Sequence, residues 1–197
     1  MILGVKKPKA RERILNAAND LFSERGYSTI GINEIIARSE TAKASFYHHF
    51  PSKENLCLTW LRGTYERSQA QHDAILRAPG NACDKVVDYF LSLKDWMVSK
   101  DFRGCPFTNT IFSMGKEAPS ISDQVDRHRR SIQNFFVALA GEIVSSSAEA
   151  YQLGTSFFLL YSGATTEAQN LRAQWPIDAA VGSVRSLINR GEVATSL

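Results

Sequence analysis

Two short helical patterns lie almost end to end near the start of the chain, and they restrict its fold more than any other feature. Ile32, Ile35 and Ile36 give Ile32–Arg38 one apolar face, and Phe46 with Phe50 gives Ala42–His49 another. Only the polar turn Ser39-Glu40-Thr41 separates them. Upstream, Ile14, Leu15, Ala18, Leu21 and Phe22 recur over Ala10–Arg25 at the spacing of one helical face. Gly26 follows directly, and glycine readily takes the left-handed conformation that ends a helix. Gly31 is a tolerable N-cap for the second helix. Three helices, the last two short and tightly joined, form a helix-turn-helix, in which one helix braces and the next enters the DNA major groove.

The third helix carries groove chemistry. Ala42, Ala44 and Ser45 are small enough for close approach, while Lys43, Tyr47 and His48 reach phosphates or base edges. Tyr47 also reads as a core aromatic, but Phe46 and Phe50 already fill the inner face. His48 and His49 look like a metal pair, yet adjacent helical residues diverge by about 100° and do not chelate one ion together. Charge supports a polyanion partner. The net charge is +3, and up to Glu54 the excess comes from Lys6, Lys7, Lys9, Arg11, Arg13, Arg25, Arg38, Lys43 and Lys53 against Glu12, Asp20, Glu24, Glu34, Glu40 and Glu54. The rest of the chain is balanced, as a basic module on a neutral body should be. Lys6, Lys7 and Lys9 read either as a solvated tail or as an arm along flanking DNA.

Downstream the chain continues as helix after helix, without strand alternation, so the expected class is all-α. Pro51-Ser52-Lys53-Glu54 opens a helix to Arg77, with Ser52 as cap and Glu54 in the first turn. Further helices are expected over Asn81–Lys100, Phe107–Met114, Pro119–Val144, Ala148–Arg172 and Ile177–Asn189, with a break at Trp175-Pro176 and fraying from Gly191. The domains read as 1–52, a helix-turn-helix DNA-binding domain, and 53–197, six helices for ligand binding and dimerisation. No apolar run is long enough for a membrane span and no apolar segment follows the N-terminal lysines, so a cytoplasmic location without membrane contact is expected. Cys57, Cys83 and Cys105 are widely spaced and read as reduced thiols.

Residues 11–56, RERILNAANDLFSERGYSTIGINEIIARSETAKASFYHHFPSKENL, resemble the DNA-binding domain of the tetracycline-repressor (TetR) family. The resemblance rests on Arg25-Gly26-Tyr27, the Ile35 helix, and Lys43 to Phe50 followed by Ser52-Lys53-Glu54. It implies that Lys43 meets phosphate or a base, that Ser45 and Tyr47 contact base edges or backbone, and that His48 contacts backbone. Lys53 would touch the flanking phosphate, and the Gly31 backbone N–H another. Four positions depart from the pattern. Glu40 stands where the family's turn has glycine, Ala42 where a hydroxyl is common, Ala44 replaces a glycine and Ile30 a threonine. Thr41 is the alternative cap for the recognition helix.

The last two helices are expected to pair with their symmetry mates, because Leu153, Gly154, Phe157, Phe158, Leu160, Tyr161, Gly163 and Ala164 make a surface too apolar to expose. Candidate ligand-lining residues are Trp60, Phe90, Trp96, Cys105, Phe107, Ile111, Phe112, Phe135, Phe158 and Tyr161, each of which also reads as ordinary core. Cys105, beside Arg103 and ahead of a helix, is a candidate reactive thiol; an inert buried cysteine is the competing reading. No phosphate loop, HExxH, GxSxG or carboxylate pair is present, and His72 and His128 stand isolated, so no catalytic residue, metal or cofactor is expected and the chain does not read as an enzyme. The resulting expectation is a DNA-binding regulator of the repressor kind, a homodimer released from a palindromic operator by a small apolar or electrophilic effector. A constitutive DNA-binding dimer and a thiol-based redox sensor without a ligand pocket are the alternatives.

Overall fold

The computed structural model describes residues 8–114 and 118–195, with the side chains of the last helix described as far as Asn189. Lys6 and Lys7 of the expected basic arm lie outside the described residues. Among the described residues there are nine helices and no strand: α1 (Ala10–Arg25), α2 (Ile32–Arg38), α3 (Lys43–His49), α4 (Lys53–Arg77), α5 (Ala82–Ser99), α6 (Pro106–Met114), α7 (Pro119–Gly141), α8 (Ser147–Leu171) and α9 (Trp175–Thr195). Among the described residues no helix is long and apolar enough to cross a membrane. The chain divides into two compact units, Met1–Thr64 with Pro106–Val125, and Tyr65–Cys105 with Asp126–Leu197.

In the first unit α1 packs on α2 and α3 through Ile14, Ile35, Phe46 and Phe50, none of them more than 1% exposed. Removing four such side chains from water is what holds two seven-residue helices that would not persist alone. Gly26 ends α1 at φ 81° and ψ 159°. The positive φ requires glycine, but ψ is extended, so this is not the left-handed helical cap the sequence led us to expect. Ser52 Oγ accepts the Asn55 N–H at 3.0 Å and caps α4 as predicted.

The second unit is built on α5, α8 and α9 with the remaining parts of α4 and α7. Its core includes Val86, Phe90, Met97, Phe136, Phe157 and Val184. Asn81 Oδ1 accepts the Cys83 N–H at 2.7 Å and starts α5. Three expectations need correction. Trp175-Pro176 does not break the chain but forms the first turn of α9, where the missing proline N–H would have had no helical partner. That helix continues to Thr195, through the stretch expected to fray. Gly154 faces inward: a Cβ there would meet Val137 N at 2.6 Å and Phe136 C at 2.8 Å. Its smallness serves α7 of the same chain rather than a symmetry mate.

Candidate nucleic-acid interface

The outward face of α3 follows from its inward one. Phe46 and Phe50 are sealed into the core; Ala44, Tyr47 and His48, one or two positions from Phe46, turn outward, and Ala42 and Lys43 are exposed at the start of the helix. Lys43 and Tyr47, four apart, lie one above the other, with Ala44 and His48 beside them. Ser45 and Thr41 are half-buried, and Gly31 is exposed. Tyr47 is 43% exposed and rests its ring edge-to-face on Phe46 at 5.3 Å, which fixes the direction of its hydroxyl. His48 and His49 also meet edge-to-face, at 5.0 Å, so the neighbouring rings come closer than their helical divergence implies. Among the described residues no group of three His, Cys, Asp or Glu side chains could hold a metal ion.

The N-cap of α3 is Ala42, which makes no side-chain cap. Thr41, considered as the alternative cap, instead shares a 2.8 Å hydrogen bond with Ser39 Oγ inside the turn. Lys53, half-buried at the start of α4, holds its ammonium 4.2 Å from the centre of the Tyr27 ring. Burial lowers its pKa, and burial pushes Tyr27 up to about 12, so the phenol stays neutral beneath the cation.

The residue that organises the turn escaped the sequence reading, which counted Arg13 only as charge. Its Nε donates to Ser39 O at 3.0 Å and its Nη2 to Glu40 O at 3.1 Å. One guanidinium from α1 thus satisfies carbonyls that the end of α2 leaves without helical partners. A lone arginine on a polar helix face carries no local signal of this role.

Glu40 itself has φ 49°, the left-handed region, where a Cβ is strained and glycine is not. Glu40→Gly is therefore expected to raise stability by about 1 kcal/mol, less the extra freedom glycine brings to the unfolded chain. Arg13 keeps its bond because the acceptor is backbone. Chemical denaturation checks the gain, and removing a carboxylate beside α3 should strengthen DNA binding severalfold. A Glu40→Gly protein that unfolds at lower denaturant would refute the strain argument.

The residues expected to line a ligand site are dispersed. Trp60 packs on Phe22 at 5.4 Å and donates its indole N–H to Asn19 at 3.0 Å, in the core of the first unit, to which the buried Phe107 and the half-buried Ile111 also belong. Phe112 is 81% exposed. In the second unit Phe90, Phe135 and Phe158 are buried, with Trp96 and Tyr161 partly so, around Tyr89, Phe136 and Phe157. These rings pack against one another, Phe90 on Phe136 at 5.7 Å and Phe136 on Tyr161 at 6.1 Å. Burial raises the Tyr161 pKa well above that of a free phenol. Cys105 is half-buried at the residue before α6. His72 is not isolated: it stacks on Phe135 at 4.2 Å, with Nε2 3.1 Å from the Tyr89 hydroxyl. A cleft of about 390 Å³ opens beside it between α4 and α7, with Asp73, Leu76, Arg127 and Arg130 in its walls. Of the residues singled out in the sequence as ligand contacts, only Phe135 borders it.

Comparison with known proteins agrees with this geometry. Residues 14–58 match the model of bacterial regulatory proteins, tetR family. The chain is similar to the HTH-type transcriptional repressor NemR of Escherichia coli, 23% identical over 189 residues that cover 90% of this chain and 93% of that one. Over 61 residues, 31% of this chain and 32% of the relative, it is 38% identical to the HTH-type transcriptional regulator QacR of Staphylococcus aureus. Its fold matches the crystal structure of a TetR-family transcriptional regulator from Streptomyces coelicolor, with a TM-score of 0.86 at 24% identity, covering 95% of this chain and 92% of that chain. Residues 14–58 thus form a helix-turn-helix of the kind found in bacterial regulatory proteins of the tetR family, and the chain shares the fold of a TetR-family regulator.

Proposed function

We propose that the chain is a homodimeric repressor that holds a palindromic operator through the outward face of α3 and releases it when a small molecule binds the C-terminal body. The α3 face carries this reading: Lys43, Ala44, Tyr47 and His48 stand outward on a helix anchored by Phe46. Lys43 meets a phosphate or a base edge, Ser45 and Tyr47 contact base edges or backbone, and His48 and the Gly31 N–H contact backbone. Thr41 and Ala42 approach the duplex at the start of the helix. Lys53, steadied by Tyr27, reaches the flanking phosphate. Residues 1–52 read DNA and 53–197 pair and sense. The E. coli relative is named a repressor, which favours repression over activation.

Pairing is through α8 and α9. Between them runs an exposed apolar groove bordered by Leu159, Leu160, Gly163, Trp175 and Ala179, with Leu159 61% and Trp175 60% exposed. Gly163 and Gly182 have open space where a side chain would stand. A second copy is the occupant that fits, because one helix-turn-helix makes too few contacts for operator-grade affinity and two half-sites require a rigid two-fold pair. The open α4–α7 cleft favours an effector-responsive protein over a constitutive binder. Release then requires that the effector bind the DNA-free state more tightly.

Fluorescence anisotropy on a duplex containing the operator tests the interface. Lys43→Ala and Tyr47→Ala should each weaken binding about tenfold, and Lys43→Ala should reduce the salt slope by about one. Binding unchanged in both variants removes α3 as the reading helix.

A further inference from the structure

We propose that the α4–α7 cleft binds a small aromatic carboxylate, gripped by Arg127 and Arg130 and reached from below by His72; on the reading of the chain as an effector-released regulator, this carboxylate is the effector. The cleft belongs wholly to the second unit. Arg127 and Arg130, one helical turn apart on α7, face it as exposed cations. Among the described residues neither has a carboxylate within ion-pair distance. Asp73, the acidic group in the cleft wall, already lies 3.5 Å from Arg77. Two guanidinia against one carboxylate leave the lining a single positive charge in excess, and one bound anion would balance it. Forked guanidinium donors suit a planar carboxylate.

His72 supplies the second, independent observation. It is 3% exposed, lines the cleft, and its Nδ1 has no hydrogen-bond partner. A buried polar atom left without a partner is costly unless something fills the place. Burial pushes the imidazole down to about 4, so the ring is neutral at neutral pH. Nε2 meets the Tyr89 hydroxyl at 3.1 Å; in the tautomer where that hydroxyl donates, the ring proton sits on Nδ1 and is free for an acceptor. The ligand class follows from the remaining wall. The His72–Phe135 stack and Leu76 are apolar, and inorganic phosphate would leave them wet, whereas an aromatic ring covers them. A volume of about 390 Å³ accommodates a one- or two-ring acid.

Calorimetric titration of the full chain with benzoate and cinnamate, and with the neutral counterparts benzamide and cinnamamide, tests this without DNA. The acids should bind saturably and the amides at least about tenfold more weakly. Arg127→Ala/Arg130→Ala, both on the surface, should weaken the acids by a similar factor, and Arg127→Lys/Arg130→Lys should recover part of it. His72→Phe keeps a ring against Phe135 and should lose severalfold. No saturable binding of either acid, equal binding of acid and amide, unchanged affinity in the double alanine variant, or phosphate binding as tightly as cinnamate each overturns the assignment. Operator binding is read separately. An acid that fills the cleft but leaves operator affinity unchanged keeps the site and removes its effector role, and a protein that binds no DNA defeats the regulator reading while the calorimetry stands.

Discussion

Leu159→Asp is expected to split the protein into monomers and to lower operator affinity by about a thousandfold, within the range that loss of a tethered second site produces. The leucine is 61% exposed in the single chain and sits in the α8–α9 groove, so the substitution removes little from the protomer's own core. In a two-fold interface every change appears twice. Each copy would bring an aspartate into an apolar contact, and an unpaired carboxylate desolvated there costs several kcal/mol. The monomer keeps its helix-turn-helix, but each half-site must then be found independently. Sedimentation equilibrium gives the mass and anisotropy the affinity. Trp175→Asp should behave alike, whereas Leu91→Asp, on an exposed position of α5 outside the groove, should leave both quantities unchanged. A Leu159→Asp protein that stays dimeric would place the pairing surface elsewhere.

What the sequence discloses depends on how far a signal must travel along the chain. The bounds of α2, and of α3 to within one residue, are legible because apolar spacing, a cap and a turn all lie within a few positions of each other. The same locality made Lys43, Tyr47 and His48 readable as an outward face, since Phe46 and Phe50 fix the helix's rotation. Trp60 shows where locality fails. Nothing near it announces that its indole N–H is taken by Asn19 on α1, so an aromatic residue looked available for a ligand. His72 fails in the opposite direction: isolated in sequence, it stacks on Phe135 and meets Tyr89, partners on other helices. The cleft between α4 and α7 is a property of packed helices, and Arg127 and Arg130 read in sequence as two more surface charges. Arg13 closes the turn through carbonyls, which leave no trace in residue type.

Gly154 and Gly163 of the long eighth helix both stand, in the sequence, in the surface expected to pair with a symmetry mate, and the structure separates them. At Gly163 nothing lies within reach of an added Cβ, while at Gly154 the nearest atoms are the backbone of Val137 and Phe136. Gly154→Ala is accordingly expected to destabilise the second unit by about 2 kcal/mol, even though alanine is the better helix former by about 1 kcal/mol. The reason is what the methyl meets. A flexible side-chain end would swing aside, but main-chain atoms 2.6 Å and 2.8 Å away retreat only if α7 and α8 separate, and that loosens Phe136 and Phe157 beneath them. Gly154→Val should be worse, since its two methyls extend the same clash. The contrast is Gly141→Ala, where the added carbon would sit 4.0 Å from the Ala150 methyl in ordinary contact. Urea unfolding followed by the fluorescence of Trp96, within this unit, should show the midpoint falling for Gly154→Ala and holding for Gly141→Ala. Equal midpoints in the two variants would mean that α7 and α8 are not pressed together at Gly154, and Gly154 would return to the pairing surface as its candidate place.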